Sequence, residues 1–206
     1  MTFTGPVPGS TIDPELLSRG CRALALLTEY QRAGPIAAAR GHLGQLDCAT
    51  TTPDLLALCP PAGLSQLTGF RQVFEAILLP QLATRQGPWA LGPMFTGSAL
   101  IHADADLIAA GLLLELKTSS KKVSLPVTDL FQLIGYALLD LDNEYGISEL
   151  GIFSARYAYL VTWELHALFN ELAGHPVSIS RARDDFQHLL RRGRARRRAS
   201  WHESSR

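Results

Sequence analysis

The chain has 206 residues, 47% of them apolar, and a formal charge of zero that hides an acidic body and an Arg-rich end. That length supports one full core with a small extension, and no apolar run reaches the roughly 18 residues that span a bilayer. The opening MTFTGPVPGST has neither the basic start nor the apolar stretch of a signal peptide, so the expected location is cytoplasmic.

Residues 1–12 are rich in Pro, Gly and Thr and read as loose chain. Asp13 is placed to cap a helix over Pro14–Arg32. Gly34-Pro35 predicts a break, with a second short helix over Ile36–Leu46. Pro53, Pro60 and Pro61 predict irregular chain over Thr50–Gly63. Leu64–Arg85 reads as a helix, with Phe70, Val73, Phe74, Ile77 and Leu78 at apolar positions and Pro80 near its end. Cys21, Cys48 and Cys59 are odd in number and scattered, which argues for buried free thiols rather than a disulfide framework.

The texture changes after Gln86-Gly87-Pro88. Trp89–Phe95, Ala99–Ile108 and Leu112–Thr118 are short apolar or alternating runs and predict three strands. Thr118–Ser124 is a polar loop. Thr128 is expected to cap an amphipathic helix over Asp129–Leu141. Two strands follow, Leu150–Ser154 and Tyr159–Trp163, then a helix over Glu164–Leu172 ended by Gly174. This order predicts an α/β core with a central mixed sheet flanked by helices. The expected organisation is an N-terminal helical extension over 1–63, a core over 64–180 and an Arg-rich tail over 181–206, helical around Asp184–Arg192.

The tail holds nine arginines against Asp184, Asp185 and Glu203, a charge of +6, and leaves −6 on residues 1–180. It could touch nucleic-acid phosphates, solubilise a disordered terminus, or bind a partner protein or the acidic body of a second copy as a homo-oligomer.

The chemistry-bearing residues gather on two neighbouring strands. Side chains alternate along a strand, so His102, Asp104 and Asp106 share one face of the first. Leu113, Glu115 and Lys117 share one face of the second. The short turn at Ala109-Ala110-Gly111 makes these strands an antiparallel hairpin, which can bring both sets of acids to one face. Carboxylates in apolar strands call for a partner or a metal, and Mg²⁺ takes one or two carboxylates together with substrate phosphate. The bland alternative is a solvated sheet face with Glu115 and Lys117 as an ordinary ion pair.

The run ADADLIAAGLLLELKT resembles the signature of the PD-(D/E)XK nuclease superfamily, an Asp, a short hairpin and then Glu-x-Lys, with Asp106, Glu115 and Lys117 at the matching positions. Gln132 and Tyr136, in DLFQLIGYALLD, resemble the Q-x-x-x-Y motif that follows the Glu-x-Lys strand in RecB-like members, including CRISPR-associated exonucleases. The resemblance covers about residues 70–172. It implies a restriction-endonuclease-like core that binds Mg²⁺ or Mn²⁺ through Asp106, Glu115 and the main-chain carbonyl of Leu116, with Lys117 assisting attack of water. Gln132 and Tyr136 would support the site. Apart from the resemblance, Lys121 and Lys122 in the polar loop after the active strand could bind phosphate or be plain loop charges, and Arg156 between the late strands could reach the nucleic-acid backbone. The implied function is hydrolysis of phosphodiester bonds in DNA, in repair or in defence against foreign DNA. The alternative is an inactive nuclease-fold module for nucleic-acid binding or assembly.

The pattern also departs from the family. Ala105 stands before Asp106 in place of Pro, and Asp104, on the same predicted face, competes with Asp106 as the ligand. No cysteine follows Cys59, which argues against the iron–sulfur cluster of some RecB-like members. Glu75 and His102 have weaker claims to the site, as an acid from the preceding helix and as a neighbour of the two aspartates.

Overall fold

The structure, a computed structural model, describes residues 2–3, 13–38, 44, 49–119 and 126–204. The chain divides into two units, residues 7–74 and residues 1–6 with 75–206. Among the described residues, no helix is long and apolar enough to cross a membrane.

The first unit is helical: α1 (Pro14–Ala38), α2 (Thr52–Ala57) and α3 (Pro61–Val73). Ala23, Leu26 and Cys59 are buried in it, whereas Cys21 is exposed and so departs from the expected buried thiols. Arg19 ties α1 to the last turn of α2 and the chain after it by donating to the carbonyls of Leu56 and Cys59 at 3.3 and 3.4 Å. Two expectations fail here. α1 runs through Gly34-Pro35, giving up the backbone bond that Pro35 cannot donate. The proline-rich stretch is helical because Pro53 and Pro61 fall in first turns, where the missing N–H has no partner to lose. The expected helix over Ile36–Leu46 lies largely outside the described residues.

The second unit is an α/β structure built on a mixed sheet. A π-helical turn (Phe74–Leu78) precedes α4 (Leu79–Ala83). Pro80 accounts for the local shift, because it removes a donor that regular α-helix needs. The strands are β1 (Thr2–Phe3), β2 (Trp89–Leu91), β3 (Leu107–Ala109), β4 (Leu112–Lys117), β5 (Glu149–Ser154) and β6 (Tyr159–Glu164), in spatial order β1-β2-β3-β4-β5-β6. All pairings are antiparallel except β4 with β5, which are parallel and joined through α5 (Val127–Leu139). A parallel pair needs such a crossover.

Leu113, Leu150, Ile152, Leu133, Ala137 and Leu139 form the core between sheet and α5. Leu112 and Leu114 alternate to the other face and are equally buried. Arg85, just after α4, pairs with Glu149 at the start of β5 at 2.8 Å. Helix α6 (Leu165–Ala173) starts behind Glu164, whose carboxylate accepts the N–H groups of His166 and Ala167. It ends at Gly174, left-handed with φ 72°, as expected.

Three departures from the sequence reading shape the site. Strand β2 stops at Leu91, where Gly92 turns to φ 56° before Pro93. The expected strand over Ala99–Ile108 survives only as Leu107–Ala109. Ahead of it, Ser98 turns the chain into a 3-10 turn over Thr96–Ala99, its hydroxyl accepting the Phe95 N–H and donating to the Ala103 carbonyl. Gly97 lets this turn pack against the end of α5, since a Cβ there would lie 2.8 Å from the Leu139 carbonyl oxygen. Helix α5 begins at Val127 behind Pro126, two residues earlier than a Thr128 cap would have it.

The Arg-rich end is α7 (Ile179–Ser204), a helix of 26 residues and far longer than the stretch expected around Asp184–Arg192. Ala182, Phe186 and Leu190 pack against the core. Arg183 is buried and donates to the Ala137 carbonyl at 3.1 Å and to Asn143 at 2.9 Å, with Asp140 at 3.6 Å.

Candidate active site

Strands β3 and β4 meet through Ala110-Gly111, with φ 48° and 83°. Positive φ at both central residues is the turn that matches strand twist in a two-residue hairpin. The register pairs Leu107 with Leu114, so Glu115, Leu116 and Lys117 extend past the end of β3. Asp106 stands in for the missing strand: its Oδ2 accepts the Leu116 N–H at 2.7 Å. The N–H and C=O of one strand residue face the same neighbour. The Leu116 carbonyl therefore points to the edge where Asp106 sits, while the Leu116 side chain is 37% exposed.

On the α5 face of β4, four expected site residues join. Lys117 Nζ donates to Glu115 Oε1 at 3.0 Å and to Gln132 Oε1 at 3.3 Å. The Gln132 amide donates to Glu115 Oε1 at 3.3 Å and to the Tyr136 hydroxyl at 2.6 Å. Glu115 and Lys117 share a face because they are two apart on a strand, and Gln132 and Tyr136 stack because they are four apart on a helix. Asp129, in the first turn of α5, adds a carboxylate 3.5 Å from Lys117 Nζ.

Burial raises the Glu115 carboxyl above its ordinary range, and the charge of Asp106 adds to the rise against the opposing Lys117 hydrogen bond. Lys117 feels burial in the opposite sense. Its bond to Glu115 and the charges of Glu115 and Asp129 outweigh that burial, so its ammonium is held above the usual range. Tyr136 is raised by burial first, then by Glu115, Asp104 and Asp106.

The segment carrying the aspartates is fixed at several points. Asp104 forms a bridge with Met94, and Gly92 donates its N–H to the Asp106 carbonyl at 3.0 Å. Phe95 stacks on Tyr136, ring centroids 5.8 Å apart and 23° from parallel, and so anchors this segment to α5. Arg156, in the β5–β6 turn, donates to the Thr118 carbonyl one residue past β4. His102 is exposed on the chain leading to Asp104, and Glu75 is exposed in the π-helical turn. Lys121 and Lys122 lie outside the described residues.

Two residues escape the sequence reading. Asp129 stands three before Gln132, a spacing that puts both on one helical stripe. Phe95 falls at the end of a predicted strand, and only the fold of residues 92–106 turns it toward Tyr136.

Asp106, Glu115 and the Leu116 carbonyl offer oxygen donors beside exposed chain, with Asp104 close by. That set suits Mg²⁺ or Mn²⁺, which accept few carboxylates and complete their shell with water and phosphate. Among the described residues, no group of three or more His, Cys, Asp or Glu side chains could hold a metal, so any ion here depends on the carbonyl and on substrate or water. No protein-family model, curated protein or solved structure matches the chain.

Proposed function

We propose that this chain is a divalent-metal-dependent nuclease with a restriction-endonuclease-like core, hydrolysing phosphodiester bonds in DNA in repair or in defence against foreign DNA. One observation carries the reading. Glu115-x-Lys117 and Gln132-x-x-x-Tyr136, separate in sequence, form one hydrogen-bonded network beside Asp106. An ordinary solvated ion pair would not need a buried glutamate with a neighbouring helix bonded to it.

Asp106, Glu115 and the Leu116 carbonyl would hold Mg²⁺ or Mn²⁺, with Asp104 as a further acid. Such an ion acidifies water and neutralises charge on a phosphoryl group. Lys117 keeps its proton and presents an ammonium to the attacking water or to the charge that grows on phosphate. Gln132 fixes that lysine from one end of its amide and Glu115 from the other. Tyr136 accepts from Gln132, which leaves its own proton free to donate. Arg156, Lys121 and Lys122 would engage the nucleic-acid backbone.

A second reading is an inactive nuclease-fold module that binds nucleic acid. It is favoured by the lack, among the described residues, of a third acid or imidazole grouped for a metal. Incubation with labelled linear and circular DNA, with and without Mn²⁺, separates the two. Cleavage should need Mn²⁺ and vanish in Glu115→Ala and Lys117→Ala, with circular dichroism unchanged. Full activity in both variants overturns the nuclease reading.

A further inference from the structure

We infer that α7 over Arg191–Arg196 is a docking rail for a nucleic-acid phosphate backbone, feeding the start of β3 where Asp106 lies. The inference rests on the nuclease reading for its purpose, but not for its test.

Six arginines fall within residues 191–198, and no acid stands between Asp185 and Glu203. The inner half of the helix is accounted for by packing: Ala182, Phe186 and Leu190 meet the core, and Arg183 is buried against α5. Beyond Leu190 that stripe ends, and Arg191, Arg192, Arg194 and Arg196 are exposed.

Two ordinary explanations for the run fail. Arginine near a helix C-terminus complements the helix dipole, but that effect is confined to the last turn. The last turn here, Trp201–Ser204, has no arginine. Nor does the run stabilise the helix by pairing along it. Arg191 and Arg194 are three apart, Arg192 and Arg196 four apart, and like charges at those spacings repel. A polyanion laid along the helix removes this repulsion and releases its own counterions.

The location gives the rail its direction. Arg194 donates to the Ala99 carbonyl at 3.0 Å. Ala99 closes the 3-10 turn whose Ser98 bonds Ala103, the residue before Asp104. The basic stretch is thus tied, through one short segment, to the chain that delivers the site aspartates. Arginine also suits this use, since its planar fork matches phosphate.

The test uses the full chain in EDTA, where cleavage cannot interfere, with a fluorescein-labelled DNA duplex followed by anisotropy over a range of salt. The variant Arg191→Gln, Arg192→Gln, Arg196→Gln leaves the Arg194 tie in place. The slope of log affinity against log salt should become shallower by about 3 units, near 0.9 for each phosphate no longer neutralised. The matching triple Lys variant should keep the slope, and it serves as the reading if the Gln variant fails to fold. An unchanged slope in the Gln variant, or a lost slope in the folded Lys variant, overturns the inference. So does equal competition by polyglutamate, or equally Arg-dependent capture by phosphatidylserine vesicles, which would assign the helix to an acidic protein or a membrane surface. Binding without Mn²⁺-dependent cleavage would sink the nuclease reading and leave the rail standing, whereas cleavage with an unchanged slope would do the reverse.

Discussion

The second unit buries two carboxylate–cation groupings, and they differ in an instructive way. Asp140 is 0% exposed and Arg183 6%, and their neighbours nearly complete them. Asp140 accepts the N–H groups of Glu144 and Tyr145, while Arg183 is held by Ala137 and Asn143. That grouping joins α7 to α5 with both charged side chains enclosed; Arg183 Nη2, 3.6 Å from Asp140, is left buried without a hydrogen-bond partner among the described residues. Glu115 is also buried, at 8% exposed, yet its network runs outward through Lys117 to Asp129 and stands beside exposed Asp106. Burial raises both acids above their ordinary range. A buried charge alone is therefore no mark of a site; the one that opens onto polar groups with reach to solvent is the better candidate.

Substitutions can break this contrast. The largest effect belongs to Glu115→Gln, which on the proposed function abolishes Mn²⁺-dependent cleavage while leaving stability at neutral pH no lower than the parent. The sign follows from the raised carboxyl: the folded state holds that proton more tightly, so its contribution is greatest in acid and is lost as pH rises from the unfolded carboxyl range through the higher folded one. Denaturant midpoints measured across that range should fall less steeply in the variant. A steeper fall would contradict the assigned direction.

Arg183→Ala comes next. It strands a buried carboxylate and should cost about 3–5 kcal/mol in urea unfolding. A loss below about 1 kcal/mol would show that Asp140 finds water or another partner. The smallest effect is that of Gln132→Ala, which removes the amide between Lys117 and Tyr136. Groups that orient a site's residues commonly account for about 10–100-fold in activity. Cleavage rates should drop by that factor, with the unfolding midpoint nearly unchanged.

Much of this was legible in the residues themselves. Helix α5 and strands β4 to β6 follow from periodicity that tertiary packing reinforces, and the α/β class follows from their order. Spacing put Glu115 with Lys117 on one strand face and Gln132 with Tyr136 on one helix stripe, while the expectation that the two pairs act together came from the resemblance. The route taken by Asp104 and Asp106 could not. Ser98 and Gly97 win over strand alternation through a local hydrogen bond and a close approach to Leu139, neither of which periodicity records. The Asp140–Arg183 grouping was equally hidden, since its members are 43 positions apart in the numbering and only the packing of α7 on α5 joins them.

Asp106 has one more consequence, for solubility. Beyond the register of β3, Leu116 of β4 turns its N–H and C=O to a side with no strand partner among the described residues, and unmatched strand groups invite pairing with other chains. The Asp106 carboxylate covers the Leu116 N–H and sets a negative charge at the opening. The acid proposed for chemistry thus also covers a backbone donor that another chain could otherwise take, and its removal should raise self-association whatever it does to cleavage.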